Sequence, residues 1–194
     1  MTLLGGRGAP LILFVGIVAL DSIIKSTSPP YSILALFDEP AHLATAGIAL
    51  AAAVQVRRLP TTVVIAALAS SVLIDTDHIP QVLGWQGLTA GTPRPYSHSL
   101  LTVAVLGLTS AVVPRRRATL LAVLVGACAG VALHLWRDLG TGQASLLWPI
   151  SRHGFALSYL LYISPLVLLA AWCGRRPRLR ARTDRWRSGE RRGR

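Results

Sequence analysis

Charged residues are scarce in this chain: they make up 14% of its 194 residues, whereas soluble domains average about 25%. Hydrophobic residues make up 52%. The positive charge is concentrated at one end, because ten of the twenty Lys and Arg residues lie between Arg175 and Arg194. The remaining body has too few polar side chains to cover an ordinary water-soluble globule. The composition therefore indicates a membrane protein with a basic tail.

Cysteine is also scarce, and the chain has only Cys128 and Cys173, each within an apolar run. Two such residues form neither a disulfide framework nor a Cys-x-x-Cys metal motif. We interpret each of them as a small buried hydrophobic residue. A structural metal site built on thiolates is therefore excluded.

The apolar residues form six runs, and a helix that spans the hydrocarbon core needs about 20 residues, in a range of about 17–25. Several runs are shorter than that, so flanking residues must complete the spans. We predict an all-α, polytopic membrane domain of about six transmembrane helices over residues 1–173. Residues 174–194 are predicted to be an Arg-rich cytoplasmic tail that is partly disordered. The six runs are Ala9–Ile24, Ala41–Val56, Leu59–Ile74, Ser99–Val113, Ala118–Trp136 and Phe155–Trp172.

The basic residues predict the orientation of these helices. With the N-terminus in the cytoplasm, the inside segments hold sixteen Lys and Arg residues and the outside segments hold four. Because Lys and Arg favour cytoplasmic loops, both termini are expected inside. An alternative makes Arg7 and Leu11–Leu20 a signal peptide, but no small-x-small cleavage site follows them.

This topology collects the ionisable residues at the outer ends of the helices. It was drawn from apolar runs and arginines alone, yet all five histidines and most of the acids fall on one face. Such groups are costly near the membrane core, so they are functional candidates. They are Asp21, Asp38, Glu39, His42, Asp75, Asp77, His78, His98, His134, Asp138 and His153.

The spacing of these residues favours a metal site. Asp38 and His42 are four residues apart, as are His134 and Asp138, and this spacing places both side chains on one helical face. Imidazole and carboxylate ligands suit Zn²⁺, Mn²⁺ or Fe²⁺. So many carboxylates can hold two or three ions that share a bridging Asp. The predicted ligands are His42, Asp75, Asp77, His78, His98, His134 and Asp138.

Other interpretations of the same residues stay open. The cluster could instead be a buried hydrogen-bond network in a transporter or a proton path. Asp21 could be an isolated interfacial cap, His153 a polar anchor, and Glu39 a supporting residue behind the ligands. A transporter would carry its ligands near mid-bilayer on broken helices, with internal repeats, and no convincing repeat is found. The basic tail could bind nucleic acid, but binding to anionic lipid is the simpler interpretation. No nucleic-acid partner is therefore expected.

The ligand motifs resemble those of the membrane-bound metal-dependent hydrolases of the YdjM type, a group also described as a domain of unknown function. That group is similar to the all-helical phospholipase C/P1 nuclease superfamily, whose members hydrolyse phosphoesters with two or three zinc ions. The resemblance covers about His42 to Pro149. Its motifs are Asp75-x-Asp77-His78, Ser97-His98-Ser99-Leu100, His134-x-x-x-Asp138 with Gly140, and Trp148-Pro149.

The resemblance implies a phosphoesterase in a bacterial inner membrane, with its active site facing outside. A bound water, made acidic by the metal, would attack phosphorus, and Asp75 or Asp38 would orient or deprotonate it. An arginine can hold phosphate oxygens through two parallel hydrogen bonds. The implied substrate is a lipid-linked phosphate or a phospholipid headgroup. The predicted catalytic residues are Asp75, Asp38, Arg94 and Arg137, and the predicted substrate-binding residues are Arg94, Ser97, Arg137, Arg152 and His153.

Overall fold

Helices form nearly all of the regular secondary structure in residues 8–175, the part of the chain that the computed structural model describes. The predicted all-α class is therefore confirmed for that part. The basic tail beyond Arg175 lies outside the described residues. The helices are α1 (Ala9–Thr27), α2 (Tyr31–Val56), α3 (Thr61–Leu73), α4 (Ile79–Val82), α5 (Leu100–Val112), α6 (Ala118–Thr141) and α7 (Tyr159–Arg175), with a 3₁₀ segment at Ile74–His78 between α3 and α4.

Four segments are long and apolar enough to cross a membrane. They are Ala9–Thr27, Ile33–Val56, Thr61–Val82 and Ala118–Thr141. Helices α5 and α7 are shorter, with 13 and 17 residues. The structure thus supports a membrane protein, while the count of six spans and the N-in, C-in orientation stay predictions.

Two helices extend well beyond the apolar runs that predicted them. Helix α2 begins ten residues before Ala41 and includes Pro40, although an interior proline removes one backbone hydrogen bond. Helix α6 continues past Trp136 to Thr141. The added turns carry polar residues, at the start of α2 and at the end of α6. Asp38 and Glu39 on α2 and Asp138 on α6 therefore lie within helical turns and not in loops.

Helix α6 packs against α3 through two glycines. A Cβ atom added at Gly126 would overlap the carbonyl oxygen of Val63, and one at Gly130 would overlap that of Ala67. Small residues allow this close approach of two helix backbones within a membrane. Helix α1 packs on α2 and α7 around a second core. The buried residues of that core are Ile17, Ala41, Ala44, Ile48, Tyr162, Leu166 and Ala170.

Two long connections, residues 83–99 and 142–158, pack together at one end of the bundle, which we call the loop end. The backbone N–H of Leu100 donates to Leu146, and the ring of Tyr96 stacks on Trp148 with centroids 4.5 Å apart. An isolated bridge pairs Ala144 with Phe155. Irregular backbone can lie at membrane depth only when such bonds satisfy it. The loop end is therefore an ordered part of the fold.

We predict that Gly130→Ala lowers the stability of the protein by about 1–3 kcal/mol, the usual cost of overpacking. The added methyl group would meet the backbone of Ala67. Thermal unfolding in detergent would measure the loss. Gly16→Ala on α1 is the control, because no atom lies within 4 Å of its added Cβ. Equal stability of the two variants would contradict the close contact of α3 and α6.

Candidate metal centre

Two imidazole rings and two carboxylates meet at the loop end of the bundle. The Nε2 atoms of His98 and His134 lie 3.1 Å apart. Asp75 Oδ1 lies 2.9 Å from His98 Nε2 and 3.5 Å from His134 Nε2. Asp138 Oδ2 lies 3.2 Å from His134 Nε2. These residues come from the 3₁₀ segment, the connection just before α5 and the end of α6, so tertiary packing assembles the cluster.

Four residues around Asp75 form a half-buried group that could hold a metal ion: Asp75, Asp77, His78 and His98. His78 Nε2 lies 3.3 Å from Asp75 Oδ1, and His98 Nδ1 lies 3.6 Å from Asp77 Oδ2. The hydroxyl group of Ser97 donates a hydrogen bond to Asp77. Ser97, predicted to bind substrate, therefore holds a candidate ligand in place.

A second, fully buried group consists of His42, His134 and Asp138. The rings of His42 and His134 stack with centroids 3.8 Å apart, and His42 Nε2 lies 3.4 Å from Asp138 Oδ1. Among the described residues, neither ring nitrogen of His42 and neither oxygen of Asp138 makes a hydrogen bond. The guanidinium group of Arg94 lies 3.1 Å from Asp138 Oδ1 as an ion pair.

These buried polar atoms fit a bound cation. A buried donor or acceptor without a partner costs about 1–3 kcal/mol, so native proteins leave few of them. In each of the two groups the ligand atoms lie within 4.8 Å of one another. Nitrogen and oxygen ligands in such numbers suit a divalent ion. The cluster could therefore hold metal, as the sequence predicted.

The pKa of His98 is raised above its ordinary value. Burial of the ring opposes protonation, but hydrogen bonds with Asp75 and Asp77 and the charge of Asp138 outweigh it. The direction of the shift shows that carboxylates dominate the field at this ring. A cation bound there would be stabilised by the same surplus of negative charge.

Arg137 lies beside the cluster and faces away from it. Its side chain is fully buried, and Nη2 donates to Asp21 and to Asp38 at 2.7 Å each. Nη1 donates to the hydroxyl group of Tyr162, and the hydroxyl group of Tyr159 donates to the second oxygen of Asp21. Asp21, which could have been an isolated interfacial cap, is therefore an ion-pair partner of Arg137. The role of Arg137 toward phosphate stays a prediction. The guanidinium group neutralises acids from α1 and α2.

The other predicted residues divide into two sets. Asp38 is near the cluster, because its Oδ2 lies 3.6 Å from His42 Nε2 while Oδ1 accepts from Arg137. Within residues 8–175, no ion pair joins Arg152 or His153 to the cluster. The guanidinium group of Arg152 lies beside Gly91, and the ring of His153 packs edge-on against Phe155. The structure therefore brings Asp38, but neither Arg152 nor His153, to the metal groups.

The candidate metal ligands lie within the part of the chain that matches a known protein family. The model of the YdjM inner membrane protein family matches residues 38–192. The chain belongs to this family. No curated protein and no solved structure shows significant similarity to it. The YdjM match begins at Asp38 and includes every candidate metal ligand, whereas Asp21 on α1 lies outside it.

The sequence did not reveal the tyrosines of α7 as part of this region. Tyr162 is buried, and its hydroxyl group also bonds with Thr45 at 2.7 Å. Tyrosines at the start of an apolar helix are typical of the membrane interface, so their position alone did not indicate the hydrogen bonds with Arg137 and Asp21. The one available signal was the spacing of Tyr159 and Tyr162, which places both on the same face of α7.

We predict that Arg137→Met destabilises the protein by about 3–5 kcal/mol, the range for breaking a buried ion pair. The change leaves the carboxylates of Asp21 and Asp38 without their counter-ion. Thermal unfolding in detergent would measure the shift. Arg152→Met is the matched control, since no ion pair of Arg152 is found in the described region. If both variants unfold at the same temperature, the Arg137 network does not hold the helices together.

Proposed function

We propose that this YdjM family member is a metal-dependent hydrolase of a phosphoester. The proposed substrate is a lipid-linked phosphate or a phospholipid headgroup at the outer face of the bacterial cytoplasmic membrane. One observation carries the proposal: buried imidazole and carboxylate atoms converge without hydrogen-bond partners at His42 and Asp138. The choice of a phosphoester rests on the resemblance of the ligand motifs to those of the phospholipase C/P1 nuclease superfamily, and this relation is part of the proposal.

The proposed metal is zinc, in two or three sites, and manganese or iron would fit the same ligands. The buried group and the half-buried group would each hold an ion. Asp75 lies between them, because its Oδ1 is within 3.5 Å of His78, His98 and His134. When bound, such ions supply an acidic water and positive charge for phosphoryl oxygens. Asp75 is therefore the proposed shared ligand.

The side chains around the metal groups have separate proposed roles. Arg94 is the proposed phosphate ligand, since its guanidinium group reaches Asp138 from the loop end. Asp38 presents Oδ2 toward His42 and is the proposed residue that orients the attacking water. Arg137 fixes the other oxygen of Asp38. Arg152 and His153 keep a role only if the headgroup extends beyond the cluster.

We predict that the double variant His98→Ala, Asp138→Ala loses most of its bound metal, because each metal group loses one ligand. Elemental analysis of the purified protein would measure the metal-to-protein ratio. His153→Ala is the control and should keep the wild-type ratio. Full retention of metal by the double variant would exclude the proposed site.

We also predict that the zinc-loaded protein releases phosphate or a phosphorylated headgroup from lipids in vesicles. A chelator should stop the release. Asp38→Asn should lower kcat by about 10²–10⁴-fold, the range for a positioned acid–base group, while Asp184→Asn in the tail should not. A product assay with phospholipids and polyprenyl phosphates would measure this. If the metal-loaded protein hydrolyses none of them, the transporter or ion-handling alternative gains support.

A further inference from the structure

The candidate metal centre is closed on most sides and partly open on one. His42, His98, His134 and Asp138 are at most 1% exposed. The side chains of Asp75, Asp77 and His78 keep 12–19% of their surface exposed. The open edge therefore lies along the 3₁₀ segment.

One face of α2 borders this edge. Between Ala41 and Ile48 every residue is buried except Leu43, which is 45% exposed. Leu36, Glu39 and Leu43 are spaced by three and four residues, so they lie on one helical face. Leu36 is 72% exposed. The half-buried carboxyl group of Glu39 therefore sits between two exposed leucines.

The opposite border has the same pattern. Ile79 and Val82 follow Asp75 by about one and two turns, and they are 55% and 53% exposed. The carboxyl group of Glu39 lies near that of Asp75, and its Oε2 atom is buried without a hydrogen-bond partner among the described residues. Both borders belong to segments that are long and apolar enough to span a membrane, Ile33–Val56 and Thr61–Val82. We call this partly exposed edge, between α2 and the 3₁₀ segment, the gap. Exposed apolar side chains flank it on both sides.

The loop end covers the cluster from the other direction. Arg94 reaches Asp138, and the Ser97 hydroxyl group reaches Asp77. The backbone N–H of His98 donates to Pro95, and the stacked Tyr96 and Trp148 rings join the two long connections. A substrate that came from water would have to displace this packing. A substrate that came from the bilayer would not.

We infer that the gap between α2 and the 3₁₀ segment is a lateral portal, edged by Leu36, Leu43, Ile79 and Val82, which admits the phosphorylated head of a membrane lipid from the bilayer. The inference rests on the proposed function. Extracting an acyl chain into water is unfavourable, and the cost grows with each CH₂ group exposed. A lateral portal avoids this cost, since the chains stay in the bilayer while the head reaches Asp75. The portal therefore selects lipids over soluble phosphoesters.

A first experiment tests where the portal opens, without any assay of activity. Spin labels on single cysteines would replace Leu36, Leu43, Ile79 and Val82 in a Cys128→Ala, Cys173→Ala background. In vesicles, these labels should collide more with oxygen than with a water-soluble nickel chelate. Leu108, which is 69% exposed on α5, is the lipid-facing control, and Ala90 in the outer connection is the aqueous one. Labels at Leu43 and Ile79 that behave like the label at Ala90 would overturn the portal.

A second experiment tests whether the portal admits substrate. Leu43→Trp should narrow the gap and raise KM for vesicle lipids about tenfold with little change in kcat, as expected for lost substrate access. The matched control is Leu108→Trp, and the metal content should be unchanged in both. Equal kinetics of the two variants would overturn the portal. If the wild type hydrolyses no phosphoester, the proposed function fails, and the spin labels alone decide whether the gap faces the bilayer.

Discussion

Charge compensation inside an apolar bundle is the constraint on which the rest of this structure depends. Arg137 is fully buried and donates to Asp21 and Asp38, so one guanidinium group serves acids from two other helices. The bond to Tyr162 adds α7 to the same network. Desolvating these charges costs several kcal/mol per ion unless the partners are well placed. The network thus holds α1, α2, α6 and α7 together. It leaves Asp38 Oδ2 directed toward the cluster, as is the carboxylate of Asp138, the residue that follows Arg137.

The metal groups have less of this internal compensation. Near Asp75, Asp77 and Asp138, the only arginine found in an ion pair within the described region is Arg94. Carboxylates packed together repel unless a proton or a cation intervenes. The raised pKa of His98 reflects this surplus of negative charge. The two neighbouring networks thus differ in charge balance. Arg137 neutralises its acids and so stabilises the fold, whereas the excess negative charge of the metal groups favours a bound cation.

The sequence predicted the all-α class and the candidate ligands because both depend on local signals. Apolar runs give helices, and the His and Asp spacings of four residues give shared faces. The two acidic partners of Arg137 lie 116 and 99 positions away in the sequence. No rule based on residue spacing predicts contacts at such separations. Asp21 was therefore interpreted as an isolated interfacial cap, and its pairing with Arg137 was not predicted. The apolar run of α2 began only at Ala41, because Asp38, Glu39 and Pro40 interrupt the apolar pattern although they lie inside the helix.

The depth of the cluster follows from the length of α5. Its 13 residues span about 20 Å at 1.5 Å per residue, less than the hydrocarbon thickness of about 30 Å. If α5 reaches the cytoplasmic surface, its first residue starts below the outer surface, and His98 just before it lies at membrane depth. The connection that carries His98 must then enter the bilayer, where its backbone needs protein partners. Leu146 supplies one of them to Leu100. In that topology the ligand would lie nearer to a lipid phosphate than to bulk water, which is the placement that the proposed lateral access requires.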